Sequence, residues 1–351
     1  MSWLTELARP EIVNLKAYEH AAWEPALERL HANELPWRAL GDNTDAGLNR
    51  YPEPQPRELI ERLASLYEVP QQNVLAGRGS DEMIDLLVRV FCRAGQDGVI
   101  VCPPTFGMYA VSARIQDAKV VPVPLRAERD FSLDEAALLD RCTQDIKVVF
   151  LCSPNNPTGN LLSEEAVLRI ASRLEKRALV IVDEAYVEFA GVPSLARHID
   201  RLPQLVILRT LSKAHGLAGA RCGSLIADPE IVALLRKVIP PYAIPQLTVE
   251  AALQLLQPPS VAVMRARVDA VRVERENLIS VLRTLPNTLR VWPSAANFIL
   301  AEFADPDKAL SSARTANLLI RDVRAQPGLG RALRISIGTP EQTARLVEAL
   351  K

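Results

Sequence analysis

Leu205-Val-Ile-Leu-Arg-Thr-Leu-Ser-Lys213 governs how the rest of this chain is read. An apolar run of strand length, Leu205 to Leu208, delivers two hydroxyls and one lysine at its carboxyl end, namely Thr210, Ser212 and Lys213. One short loop later comes an arginine, Arg221, within Gly219-Ala-Arg-Cys-Gly223. An amine able to form an imine, beside a small cradle for a phosphate, suits a covalently held aldehyde cofactor with a phosphate tail. Taken alone, the run also fits a strand-to-loop junction with a solvated lysine, so the surrounding sequence has to decide.

Two further stretches have the same form. Ala178-Leu-Val-Ile-Val182 reads as a strand buried on both faces, and it ends on Asp183-Glu-Ala-Tyr186. A carboxylate at the end of a buried strand is costly unless paired. A pyridinium nitrogen would pair with Asp183 and make the ring an electron sink, with Tyr186 in reach of the ring's phenolic oxygen. An aspartate capping a turn is the plain alternative. Val148-Val-Phe-Leu-Cys152 likewise runs into Ser153-Pro-Asn-Asn-Pro-Thr-Gly159, strong turn chemistry that presents Asn156 in one orientation as a donor to the same oxygen. Any one of these is ordinary. Three in order, each at the carboxyl end of its own strand, point to the crevice where open α/β sheets bind ligands.

Composition agrees with that reading. A chain of 351 residues, 48% apolar, can bury one large core and a second, smaller one. A formal net charge of −1 with no long basic stripe argues against nucleic acid or an anionic membrane as partner. No apolar run approaches the ~20 residues that span a bilayer, and Met1-Ser-Trp-Leu-Thr-Glu-Leu7 lacks a signal-peptide pattern, so a cytoplasmic protein is expected. Five cysteines without a Cys-x-x-Cys pair read as reduced core thiols, and four scattered histidines give no metal-ligand spacing, so no metal is expected.

Strands are expected at Val99–Cys102, Val120–Val123, 147–152, 178–182, 205–209 and 223–227, with helices between several of them, for instance Ser163 to Lys176. Ser80 to Arg93 carries one apolar face, with Ser80 and Asp81 expected as its caps, and Gly77 and Gly79 before its free N–H groups suggest an anion site. A long helix from Val261 to Leu285 leads to a different rhythm. Strands at Asn297–Ala301, Leu318–Arg321 and Leu333–Ile337 alternate with helices near 307–316 and 340–350, which is a small α+β domain.

With these residues in view, the chain resembles the fold-type-I pyridoxal-phosphate aminotransferases of the aspartate-aminotransferase superfamily. Leu30-His-Ala-Asn-Glu34, Asn49-Arg-Tyr-Pro-Glu53, Gly77-Arg-Gly-Ser-Asp-Glu82, Pro103-Pro-Thr-Phe-Gly-Met-Tyr109 and Leu333-Arg-Ile-Ser-Ile-Gly338 carry the likeness together with the three strand ends. The resemblance implies an α/β fold: a mostly parallel seven-stranded sheet sandwiched by helices, plus the smaller α+β domain. It divides the chain into an N-terminal arm that packs on the small domain (1–45), the large cofactor domain (46–260) and the C-terminal small domain (261–351).

The resemblance also assigns roles. Pyridoxal 5'-phosphate would be linked to Lys213, its phosphate held by Ser80, Asp81, Ser212 and Arg221, with Thr210 also among the cofactor-binding residues, and its ring faced by Phe106, where tyrosine is common in the family. Lys213, once freed, would move the proton between substrate and cofactor carbons, helped by Asp183 and Tyr186. Tyr51, in a proline-rich arm, would reach the phosphate of the neighbouring subunit, which makes the working unit a homodimer.

Within the superfamily the likeness is to the branch whose amino donor is histidinol phosphate and whose acceptor is 2-oxoglutarate. There Arg334 and Arg321 would hold the phosphate or carboxylate, and Tyr18, Asn156 and Tyr51 would also touch substrate. An aromatic amino-acid aminotransferase, a threonine-phosphate decarboxylase and a cofactor-sensing regulator domain remain as alternatives.

Overall fold

The structure is a computed structural model that describes residues 2–24 and 26–351. Seven strands build the large sheet: β1 (Val74–Gly77), β2 (Gly98–Val101), β3 (Lys119–Pro122), β4 (Ile146–Cys152), β5 (Leu179–Asp183), β6 (Leu205–Thr210) and β7 (Gly223–Ile226). Their spatial order is β1-β7-β6-β5-β4-β2-β3, with β7 antiparallel to both of its neighbours and the pairs from β6 to β3 parallel. β5 and β6 are buried along their whole length because helices cover both faces, which is why their sequences are nearly unbroken apolar runs. One hydrophobic core lies on each face. Among the described residues no helix is long and apolar enough to cross a membrane.

The small domain follows a 25-residue helix, Pro258–Leu282. It holds a four-stranded antiparallel sheet of β8 (Thr288–Val291), β9 (Phe298–Phe303), β10 (Arg321–Asp322) and β11 (Ala332–Ser336), in the order β10-β11-β9-β8. The helices Pro306–Thr315 and Pro340–Leu350 pack on it around a separate core.

Several expectations need correction. β1 and β8 are strands without a sequence signal: Val74-Leu-Ala-Gly77 is short with one β-branched residue, and β8 has two exposed central residues. Leu318 to Ile320 are not strand. Asn317 turns left-handed at φ +56° and the Leu318 N–H bonds Ala313 O at 2.9 Å, so this apolar run closes the preceding helix instead. Ser80 and Asp81 are not caps either. Gly79, at φ +86°, is the cap residue of the helix Ser80–Phe91, and both side chains line the cavity beside it.

The start of the chain also departs from the reading that assigned residues 1–45 to the arm and the small domain. Leu4 and Leu7 are buried in the large-domain core, the Arg9 N–H bonds Val90 O at 2.9 Å, and Lys237 Nζ donates to Val13 O at 2.7 Å. Apolar residues at 4 and 7 lie on one face of a short helix, and that face packs into the large-domain core.

Candidate active site

A cavity of about 620 Å³ opens at the carboxyl ends of β4, β5 and β6, under the small domain. Parallel register brings those ends level: Cys152 pairs with Asp183, and Asp183 with Leu208. The polar loops after three separate strands therefore meet at one place.

Asp183 sits at the floor, only 3% exposed. Its carboxylate accepts from the Tyr109 hydroxyl at 2.7 Å and from the Ala185 N–H at 3.1 Å, both uncharged donors. Burial outweighs these bonds and raises its pKa above the usual carboxylate range. Lys213 lies across the cavity with Nζ 5.5 Å from the centre of the Tyr186 ring. Burial, with Arg334 adding like-charge repulsion, lowers its pKa below that of an ordinary lysine. The same cavity thus holds an amine and a carboxylate whose charged forms are both disfavoured by burial.

The phosphate-sized corner arises where β7 runs back between β6 and β1. Gly223 pairs with Thr210 on one side and Gly77 on the other. Arg221, held left-handed at φ +56°, donates to Ser212 Oγ at 3.3 Å and pairs with Asp81 at 3.3 Å, while the Ser212 N–H bonds Thr210 Oγ1 at 3.1 Å. Backbones approach so closely here that a Cβ on Gly223 would lie 2.3 Å from the Gly79 carbonyl carbon and 2.4 Å from the Ser80 nitrogen. The first-turn N–H groups of the helix Ser80–Phe91 open onto the corner.

These features fit a phosphorylated pyridine aldehyde. A buried carboxylate with only neutral donors suits a pyridinium, Lys213 suits the aldehyde, and the helix start with Arg221 suits the phosphate.

Small-domain side chains close the cavity. β10 and β11 pair Arg321 with Arg334, so two guanidinium groups stand side by side on adjacent strands. Arg334 Nη1 donates to Asn156 Oδ1 at 2.5 Å, which turns the amide so that Asn156 Nδ2 faces Tyr186 Oη at 3.5 Å. Its guanidinium lies over the Phe298 ring at 5.2 Å, and its Nε is buried without a hydrogen-bond partner among the described residues.

The cavity thus gathers Ser80, Asp81, Phe106, Asn156, Asp183, Tyr186, Thr210, Ser212, Lys213, Arg221, Arg321 and Arg334. Two expected site residues are elsewhere in the single chain. Tyr51 is half exposed and stacked on Tyr242 at 4.5 Å, and Tyr18 is 73% exposed in a separate cavity beside Trp23 and Arg236. The segment that carries Tyr18 forms neither helix nor strand and lies along the 236–241 loop, away from the strand ends.

Sequence reasoning missed Tyr109, fully buried, stacked on Phe150 and edge-on to Phe106, because nothing local ties residue 109 to residue 183. It also missed Met108, Val111, Val323 and Gln326 of the cavity wall.

Comparison with known proteins gives a consistent picture. Residues 26–350 match the family model "Aminotransferase class I and II". Histidinol-phosphate aminotransferase of Stenotrophomonas maltophilia is 46% identical over 353 residues, covering 98% of this chain and 95% of that protein. The enzyme of the same name from Shigella sonnei is 40% identical over 356 residues, covering 99% and 98%. Among solved structures, histidinol-phosphate aminotransferase from Sinorhizobium meliloti in complex with pyridoxal-5'-phosphate superposes with a TM-score of 0.75 at 24% identity, covering 86% of this chain and 82% of that one. That likeness speaks to the fold.

Proposed function

The chain belongs to the class I and II aminotransferases, and from that premise we propose that it is a pyridoxal-phosphate enzyme that transfers the amino group of L-histidinol phosphate to 2-oxoglutarate. The products are imidazole acetol phosphate and L-glutamate, a step of histidine biosynthesis. The observation that carries the substrate is the Arg321–Arg334 register pair above a floor made of Lys213 and Asp183. Two adjacent forks bind a phosphate ester in one half-reaction and a dicarboxylate in the other.

When bound, the cofactor supplies a carbonyl that condenses with amines and a ring that takes up the electron pair of the broken C–H bond. The protein does the rest. Lys213 anchors the cofactor and then, with its pKa already lowered by burial, takes a proton from the substrate carbon and hands it on. Asp183 would hold the ring nitrogen in its protonated form, the counter-charge that this buried carboxylate otherwise lacks. Tyr186 and Asn156 would direct donors at the ring oxygen, with Arg334 fixing the Asn156 amide. Ser80, Thr210, Ser212 and Arg221 take the phosphate, with Asp81 orienting Arg221. Phe106, in the cavity lining, would face the ring. It keeps the apolar contact that a tyrosine would make and has no hydroxyl to donate.

The reading includes a cytoplasmic homodimer whose Tyr51 reaches the neighbouring site, with Tyr18 brought onto substrate by the arm. The half-exposed position of Tyr51 in one chain supports an intermolecular role.

The test is turnover of histidinol phosphate with 2-oxoglutarate by wild type, Lys213→Ala and Arg321→Ala. Wild type should show an absorbance band near the visible edge that Lys213→Ala lacks. Arg321→Ala should lose on the order of 100-fold or more in kcat/KM, the loss of a charge-assisted contact. A loaded wild type that turns over phenylalanine and not histidinol phosphate would overturn the substrate.

A further inference from the structure

Once the charged groups of the cavity have their roles, one wall is left. It is contributed by Met108 and Val111 from the helix Met108–Ile115 and by Val323 and Gln326 from the loop between β10 and β11, all in the lining of the same cavity. Three of these are apolar. Gln326 is half-buried, and its amide makes no hydrogen bond among the described residues. Its position is nevertheless fixed. The Gln326 N–H bonds Val323 O at 3.0 Å, its carbonyl accepts from the Leu329 N–H at 3.2 Å, and Val323 and Leu329 are both buried in the large-domain core. A pinned backbone therefore holds this amide in a cavity lining that also supplies the apolar Met108, Val111 and Val323 and the paired Arg321 and Arg334.

The geometry points to Gln326 as a specificity-determining residue that reads the heteroatoms of the substrate's side-chain ring. An amide offers one donor face and one acceptor face, and a neutral imidazole presents one N–H and one bare nitrogen. A phenyl ring would fill the same space and leave the amide unpaired, which is how a site built around a hydrogen bond rejects the analogue lacking it. The arginine pair then selects the anion, and Gln326 selects the ring. This rests on the histidinol phosphate reading above.

Two matched probes separate the two ideas: 3-(imidazol-4-yl)propyl phosphate and 3-phenylpropyl phosphate, which share the phosphate and differ in the ring. Their dissociation constants are measured by calorimetry on the cofactor-loaded enzyme. Wild type should prefer the imidazole probe, and Gln326→Leu should narrow that preference by about tenfold, the scale of one neutral hydrogen bond. Gln326→Glu, close in size and still polar, should move tightest binding of the imidazole probe toward acid pH, where the ring is a cation. An unchanged preference in Gln326→Leu, or in Gln326→Glu should the leucine variant not fold, overturns the inference and leaves the substrate reading standing. Failure of wild type to bind either probe overturns the phosphate clamp and this inference with it.

Discussion

Asp183 concentrates the conflict between stability and function in this protein. A carboxylate this deeply buried, with neutral donors only, has its pKa raised, so the native apoprotein binds protons more readily there than the unfolded chain does. Stability of the apoprotein therefore falls as pH rises from the unfolded pKa through the folded one. Asp183→Asn removes that cost. It should stabilise the apoprotein at pH 7 by on the order of 1 kcal/mol, with the gain shrinking toward pH 4, while weakening pyridoxal phosphate binding. Tyr109→Phe acts in the opposite sense. It strips a donor from the same carboxylate and should destabilise the apoprotein at pH 7 by about 1–3 kcal/mol. Thermal melts of both variants, with and without cofactor, check the two signs together; equal shifts would refute the account. At this scale Asp183, Asn156, Tyr186 and Lys213 are legible in sequence because each ends a local strand-and-turn pattern. Tyr109 is not, because its bond to Asp183 spans 74 residues of chain.

The decisive element is β7. Because it runs against its neighbours, it begins where β6 and β1 end, which sets Arg221, just before it, at the start of the helix Ser80–Phe91, and Gly223 lets the two backbones touch. Gly223→Ala would drive a methyl into main-chain atoms that cannot swing aside. It should cost about 1–3 kcal/mol in stability and weaken cofactor binding at least about tenfold, read by titrating the apoprotein with pyridoxal phosphate. Cofactor affinity equal to wild type would show that the corner is not the phosphate site. Strands with strong β-branched runs, such as β5 and β6, are plain in sequence. β1 and β8 are not, since short strands with exposed or small residues take their form from the neighbour that pairs with them. The apolar Leu318–Ile320 run misleads for the converse reason, a helix end that needs apolar contact.

For the whole molecule, a shared active site makes a sharp prediction. Lys213→Ala and Tyr51→Ala homodimers should each be strongly impaired, and mixing them under subunit exchange should restore activity, because one site in each mixed dimer keeps both residues. Activity no higher than the average of the two parents would place Tyr51 outside the neighbouring site.

The amino-acid sequence alone determined the alternating α/β class, the cofactor, and the placing of Lys213 and Asp183 at strand ends, since these are written in runs of about ten residues with their own periodicity and turn residues. Tertiary structure decided the rest. It set Arg334 against Asn156 across 178 residues, paired Arg334 with Arg321, slid Tyr109 beneath Asp183, and seated the first residues on the large domain. Those outcomes depend on which distant surfaces bury each other, and no local pattern encodes that choice.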